Sequence, residues 1–187
     1  MAERSDAPRL APGTRVHVLT VSDGVANGTR EDRSGAVIRA RIAELGGTVT
    51  DAVVPDEVAR IGAAIRSAAA NHAIVLTTGG TGLTPRDVTP QATRSILEVE
   101  VPGVAEAMRA AGRASTPLAD LSRAVAGVVD RALVVNLPGS PNGALESLGA
   151  IEAILAHAVE TLAGPHDHDV ARGGAAVPYD RPKEDAR

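Results

Sequence analysis

Between Thr77 and Pro90 the chain reads Thr-Thr-Gly-Gly-Thr-Gly-Leu-Thr-Pro-Arg-Asp-Val-Thr-Pro, and these residue types at this spacing suit the handling of phosphate. Gly79, Gly80 and Gly82 lack a Cβ, so their backbone N–H groups can approach a charged ligand closely. Thr77, Thr78, Thr81 and Thr84 can add hydroxyl donors, while Arg86 and Asp87 supply one charge of each sign. The run follows the apolar stretch Ala73-Ile74-Val75-Leu76 and precedes a helical segment expected from Gln91 to about Leu97. A strand that empties into glycines ahead of a helix is the geometry of an oxyanion or phosphate cradle. A plain tight connection also uses glycine, but it does not need this density of hydroxyls and charges.

Two carboxylates stand out as candidate catalytic groups. Asp56 sits just past an expected strand, and Asp87 lies inside the glycine-rich loop, so each can face a ligand. Each also has an ordinary structural use: Asp56 can cap a helix beginning near Glu57, and Asp87 can cap or pair with Arg86. Ser22 and Asp23 close the first expected strand, and Pro138-Gly139-Ser140 forms a turn after the last one, with Ser140 a candidate hydrogen-bond donor. Ser122 and Arg123 add a hydroxyl and a cation between them. Turn or capping chemistry accounts for these last residues equally well.

The elements that must position these groups are legible from periodicity. Arg15 to Val21 alternates as a strand, and Ser34 to Leu45 places Val37, Ile38, Ile42 and Leu45 at helical spacing before Gly46-Gly47. Thr48 to Val54 is a second strand, and Glu57 to Ala70 a helix with Val58, Ile61 and Ile65 inward. Ala73 to Thr78 is a third strand. Residues 90–127 read as mostly helical, broken near Pro102-Gly103 and Ser115 to Pro117. Arg131 to Asn136 is a further strand, and Gly143 to Leu162 a long closing helix. Strands alternating with helices predict a three-layer α/β/α sandwich, a single α/β domain with a mostly parallel central sheet. Ligands of such sheets lie beyond the carboxyl ends of the strands. Here those ends are Ser22-Asp23, Pro55-Asp56, Thr78-Gly79 and Leu137-Pro138, so every polar cluster falls on one rim.

Composition removes several classes of function. The chain of 187 residues is long enough to bury a core unaided, and with no cysteine it has neither disulfides nor thiolate chemistry. No stretch approaches the ~18 to 20 apolar residues of a membrane helix. The first residues lack a signal-peptide pattern, so a cytoplasmic location is expected. A formal charge of −4 gives no general attraction for nucleic acid. Phe and Trp are absent and Tyr179 is the single aromatic residue, so base-stacking platforms are missing as well. A Rossmann-type dinucleotide site is disfavoured, because the glycines run GGTG rather than GxGxxG and no acidic residue ends the second strand. The run His166-Asp167-His168-Asp169 offers metal-ligand types, but in a polar tail it reads as solvated.

The run TTGGTGLTPRDVTPQAT resembles the signature of the MoaB/Mog family of molybdopterin adenylyltransferases. Val21-Ser22-Asp23, Asp32-Arg33-Ser34-Gly35, Val54-Pro55-Asp56-Glu57, Leu121-Ser122-Arg123 and Asn136-Leu137-Pro138-Gly139-Ser140-Pro141 continue the resemblance in family order. It covers about residues 14–163, leaving 1–13 as an expected flexible arm and 164–187 as a polar tail. The resemblance implies Mg²⁺-dependent transfer of AMP from ATP to the terminal phosphate of molybdopterin. It implies Asp56 and Asp87 as metal-positioning residues and Gly79, Gly80, Thr81 and Gly82 as a phosphate cradle. Arg86 would offset charge on pyrophosphate, or pair with Asp87. Ser22, Asp23, Thr78, Pro138, Gly139 and Ser140 would complete the substrate site, with Ser122 and Arg123 on its pterin-phosphate side. Where many family members carry a basic residue after Ser-Asp this chain has Gly24, with Arg30 or Arg33 as substitutes. A homotrimer or a multiple of it is implied, with the molybdate-insertion protein as downstream partner. A molybdopterin-binding homologue without transferase activity is the alternative. The molybdate-insertion branch is disfavoured, since its members generally embed such a domain in a much longer chain.

Overall fold

A computed structural model describes residues 9–164. In chain order these form β1 (Arg15–Val21), α1 (Asp23–Ala26), α2 (Arg33–Glu44), β2 (Thr48–Val54), α3 (Val58–Ala69), β3 (Ile74–Thr78), α4 (Thr89–Arg94), β4 (Val99–Glu100), α5 (Pro102–Gly112), a 3₁₀ helix (Pro117–Leu121), β5 (Ala126–Val129), β6 (Ala132–Leu137) and α6 (Pro141–Ala163). The six strands make one sheet in the order β2-β1-β3-β6-β5-β4. The first four run parallel; at one edge β5 pairs antiparallel with β6, and β4 pairs antiparallel with β5.

Alternation within the strands divides the core into two halves, as a sheet covered on both faces requires. Val16, Val18, Leu76 and Val135 face one way, against Ile38 and Ile42 of α2, Met108 of α5 and Leu148, Ile151 and Leu155 of α6. Leu19, Val75 and Val134 face the other way, against Ile61 and Ile65 of α3 and Ala92 of α4. The three-layer, mostly parallel sandwich expected from the sequence is therefore the observed one. Both halves are aliphatic throughout. Leu10, inside the stretch expected as an arm, is buried, and its amide donates to the carbonyl of Leu45.

Residues 90–127 depart from the mostly helical expectation. They contain α4 and α5, but also β4, the 3₁₀ helix and β5. A two-residue strand is too short to show a period, and Ala-Gly-Val-Val in β5 has no polar member to mark an outer face. Gly127 is needed there, since a Cβ would stand 2.3 Å from the Val99 carbonyl oxygen. Arg131, expected in the last strand, instead lies in the turn joining β5 to β6. Asp130 beside it takes a positive φ of 52°, and the Arg131 guanidinium donates to the carbonyls of Leu162 and Ala163 at the end of α6. The His166–Asp169 run lies outside the described residues.

On the face of β1 and β2 toward α3, three polar side chains form a chain of hydrogen bonds. A carbonyl can only accept, so His72 Nδ1 carries the proton donated to Ala68 O, at 2.8 Å. In the neutral ring its Nε2 then accepts from the Thr50 hydroxyl at 2.8 Å, and Thr50 Oγ1 accepts from His17 Nδ1 at 2.8 Å. Burial, and then the neighbouring His72, hold His17 below its ordinary 6.5, against an opposing pull from Asp51. The unfolded chain therefore binds this proton first, and the fold loses stability as pH falls through 6.5 toward the depressed value. His17→Gln is expected to flatten the dependence of the urea midpoint on pH between about pH 7 and about pH 5 relative to the native chain. An unchanged slope would show that another group governs it.

Candidate active site

The cradle is built by a backbone reversal at the end of β3. Gly79 and Gly80 take positive φ values of 100° and 63°. A Cβ at Gly79 would stand 2.3 Å from the carbonyl oxygen of Val21, and one at Gly80 2.3 Å from Thr89 Oγ1 and 3.3 Å from Asp56 Oδ1. Only glycine allows the chain after β3 to turn this tightly against the end of β1. The turn is fastened from below: Thr89 Oγ1 donates to Gly79 O at 2.9 Å, and the Thr89 amide to Gly80 O at 3.1 Å.

Several hydroxyls expected as ligand donors make hydrogen bonds within the protein. Thr78 Oγ1 donates to Pro138 O at 2.7 Å, tying β3 to the turn after β6. Thr77 is fully buried and accepts from Asn136 Nδ2 at 3.0 Å, and Asn136 also reaches Thr93 Oγ1 at 2.9 Å. The Thr84 amide donates to Asp87 Oδ2 at 2.8 Å. Thr81 is largely buried and lines both cavities. Ser22 caps α1, a helix absent from the sequence reading, by accepting from the Val25 amide at 3.3 Å. Ser140 caps α6 through the Gly143 amide at 3.2 Å. The Asp32-Arg33-Ser34-Gly35 run has a clear structural reason. Asp32 caps α2, accepts from Thr20 and Arg39, and leaves no room for a side chain at Gly35, where a Cβ would stand 2.2 Å from Asp32 Oδ2.

The carboxylates separate by their partners. Asp56 does not cap α3; the cap position is Glu57. Instead Asp23 and Asp56 exchange hydrogen bonds, the Asp23 amide to Asp56 Oδ2 at 2.8 Å and the Asp56 amide to Asp23 Oδ1 at 3.0 Å. Arg86 does not pair with Asp87. It reaches across the rim to Asp23, with Nε 3.0 Å from Oδ2. The Arg86 hydrogen bond, and then the Asp56 amide, hold the Asp23 carboxyl below the usual range. For Asp87, burial pushes the carboxyl up, but bonds from Thr84 and from the Gly82 amide, with the Arg123 charge behind them, leave it lowered. It is a carboxylate at neutral pH.

Two cavities meet at this rim. The larger, of about 1050 Å³, holds Asp56, Asp87, Gly79, Gly80, Arg30, Arg33 and Arg86, with the N-terminal residues of α2 and α6 in its wall. Helix N-termini and arginines together favour a polyanion. The Arg30 side chain packs over Gly24, with Cβ 3.2 Å and Nε 3.6 Å from where a Gly24 Cβ would lie, and it lines the larger cavity. The smaller cavity, of about 260 Å³, is walled mainly by Met108, Leu118, Leu121 and Ala124, with Ser122 and Glu146 among its polar groups. Thr81, Gly82, Pro138 and Ser140 line both. The expected residues Ser22, Thr78 and Gly139 line the larger cavity, whereas Asp23 and Arg123 line neither. Sequence reasoning missed the walls given by α5 and the 3₁₀ helix, which are mainly apolar, with Arg109 as a charged member.

A family model described as a probable molybdopterin binding domain matches residues 17–157. The chain belongs to this family. It is 40% identical over 174 residues to a molybdenum cofactor biosynthesis bifunctional protein of Synechococcus elongatus, covering 89% of this chain and 54% of that one. The chain thus spans about half or less of the length of this and several other curated relatives that it matches. A shorter relative, a molybdopterin adenylyltransferase of Pyrococcus furiosus, is 38% identical, with 80% of this chain and 95% of that one covered. The solved molybdopterin biosynthesis enzyme MoaB of Thermus thermophilus is 48% identical with a TM-score of 0.76, over 81% of this chain and 98% of that one. Among the described residues no helix is long and apolar enough to cross a membrane.

The glycine reversal has a direct energetic test. Gly79→Ala places a methyl against a backbone carbonyl at a φ that L-residues rarely adopt, and should cost about 2 kcal/mol or more. Chemical denaturation with the native chain alongside measures it, and equal stability would mean the reversal is not the constraint described.

Proposed function

We propose that this chain transfers AMP from ATP to the terminal phosphate of molybdopterin, releasing pyrophosphate. The observation that carries this reading is the arrangement of Asp56 and Asp87 on either side of the Gly80–Gly82 backbone. A Cβ at Gly80 would stand 3.3 Å from Asp56 Oδ1, and one at Gly82 3.1 Å from Asp87 Oδ2. One carboxylate thus stands beside Gly80 and the other beside Gly82, along the same stretch of glycine backbone. The similarity to relatives named molybdopterin adenylyltransferase supports the same activity.

The reaction sets the demands on the protein. A phosphate monoester has its second pKa near about 6 and is already largely dianionic at neutral pH, so no strong general base is needed. An oxygen of that phosphate forms a bond to the α-phosphorus of ATP, and the bond from the α-phosphorus to the bridging oxygen breaks, its electron pair leaving with pyrophosphate. The requirement is in-line placement and relief of repulsion between two anions. In this reading the larger cavity takes the ATP phosphates against Gly79, Gly80 and Gly82, with Arg30 and Arg33 beside them. Arg86 exchanges its contact with Asp23 for the departing pyrophosphate. The smaller cavity, opening across Thr81 and Ser140, takes the pterin ring, held by aliphatic side chains and backbone groups.

The donor set fits Mg²⁺. Hard carboxylate oxygens suit it, and it is usually held by one or two carboxylates together with substrate phosphates. Among the described residues no three His, Cys, Asp or Glu side chains converge into an all-protein metal cage, and a shared Mg²⁺ does not require one. Asp56 and Asp87 would hold the ion, which when bound supplies charge neutralisation between the reacting phosphates. The same reading carries the homotrimer, or a multiple of it, and delivery of product to a molybdate-insertion protein.

A pyrophosphate-release assay with molybdopterin and MgATP tests it. Release should require molybdopterin and fall at least about 100-fold in Asp87→Asn, a loss of roughly 3 kcal/mol of transition-state stabilisation. Tight molybdopterin binding by calorimetry without any release would reassign the chain as a binding homologue that does not catalyse the transfer.

A further inference from the structure

The segment that carries Asp87 is poorly anchored by its own residues. Leu83, Thr84, Pro85 and Arg86 are all exposed. Its internal hydrogen bonds, Asp87 amide to Thr84 O at 3.0 Å and Thr84 amide to Asp87 Oδ2 at 2.8 Å, tie the segment to itself and not to the domain. Arg86 to Asp23 is a tie to the body, but it joins side chains that are 61% and 43% exposed, where solvent competes. One tie is of another kind. Arg123 is half-buried, and its guanidinium donates through Nε to Gly82 O at 2.7 Å and through a second nitrogen to Asp87 O. A single planar fork thus grips both ends of the Gly82–Asp87 segment.

The base of that fork is itself fixed. The Arg123 amide donates to Thr81 O at 3.0 Å. Arg109 of α5 donates to the carbonyls on either side, Ser122 O and Ala124 O, each at 3.3 Å. The chain of contacts runs from a packed helix, through the 122–124 backbone, to the loop. It ends on backbone carbonyls, so it sets the path of the loop, and Arg123 itself lines neither cavity.

We propose that Arg123 is a positioning residue whose guanidinium holds the Gly82–Asp87 segment in the shape that presents the Asp87 carboxylate to the cleft. This replaces the expected place of Arg123 on the pterin-phosphate side, and as a role in catalysis it rests on the adenylyl-transfer reading. The fork is essential to it. Lysine keeps the charge but is a point donor, and cannot span two carbonyls with a rigid plane. Arg123→Lys and Arg123→Ala should therefore behave alike.

Residue-resolved amide hydrogen exchange on the ligand-free full chain is the first measurement. In both variants the Thr84 and Asp87 amides should exchange about tenfold faster, while Leu76 and Thr77 in β3 keep their native rates. In the pyrophosphate assay the Mg²⁺ concentration for half-maximal rate should rise roughly tenfold, because a displaced carboxylate positions the metal badly. Molybdopterin affinity should stay within about twofold of native. Native exchange rates at Thr84 and Asp87 in Arg123→Lys would overturn the proposal. So would acceleration that extends through β3, which would mark a general loss of stability. A tenfold loss of molybdopterin affinity with unchanged Mg²⁺ dependence would make Arg123 a ligand contact instead. If Arg123→Ala does not fold, Arg123→Lys carries the comparison. If the native chain releases no pyrophosphate, the activity reading fails while the exchange rates still decide whether Arg123 braces the loop.

Discussion

Everything at the rim depends on how closely β3 can turn against the end of β1. Parallel strands deliver their carboxyl ends to one edge, but an ordinary residue at position 79 would have its Cβ 2.3 Å from the Val21 carbonyl oxygen. Removing that atom lets the chain cross directly above β1 and drop toward α4. The consequences spread outward from there. Gly139 comes to lie against Gly79, its would-be Cβ 3.2 Å from Gly79 Cα, so the turn after β6 closes on the same spot. Thr78 and Thr89 then lock the reversal by donating their hydroxyls to Pro138 O and Gly79 O.

Around this reversal, charge is placed by backbone more than by side-chain choice. Asp23 and Asp56 hold each other through their amides, which fixes both carboxylates relative to the ends of β1 and β2. Asp87 is fixed by the amides of its own loop, and that loop by Arg123. Long surface side chains lose entropy when immobilised and gain little from exposed pairing. Short aspartates bonded to peptide groups avoid most of that cost. The two cavities inherit this rigidity, because Thr81, Gly82, Pro138 and Ser140 form the wall between them.

Legibility in the sequence followed the strength of the local pattern. β1 and β2 were readable to the residue, since Arg-Val-His-Val-Leu-Thr-Val and Thr-Val-Thr-Asp-Ala-Val-Val mix polar and apolar positions between clear breaks. The carboxyl-end rim followed from topology alone. β4 and β5 were not readable: they are short, join the sheet edge by long-range pairing, and one of them contains a glycine chosen for a close approach to Val99. Partner choice was also hidden. Nothing in Pro-Arg-Asp says that Arg86 turns away from its neighbour toward Asp23, more than sixty positions earlier, or that Arg123 serves a loop about forty positions before it. Those pairings exist only once the sheet has brought the strand ends together. The apolar cavity was invisible for the same reason, being assembled from the 3₁₀ helix and the inner faces of α5 and α6.

The aliphatic core has one further implication. No phenylalanine or tryptophan occurs anywhere in the chain, and its single tyrosine lies outside residues 9–164. The folded domain is therefore nearly dark in the near ultraviolet, with no indole to fluoresce or to quench a neighbour. A heteroaromatic ring entering either cavity would report its own surroundings against an almost silent background. The protein behaves in this respect like a solvent cage whose guest supplies all the colour.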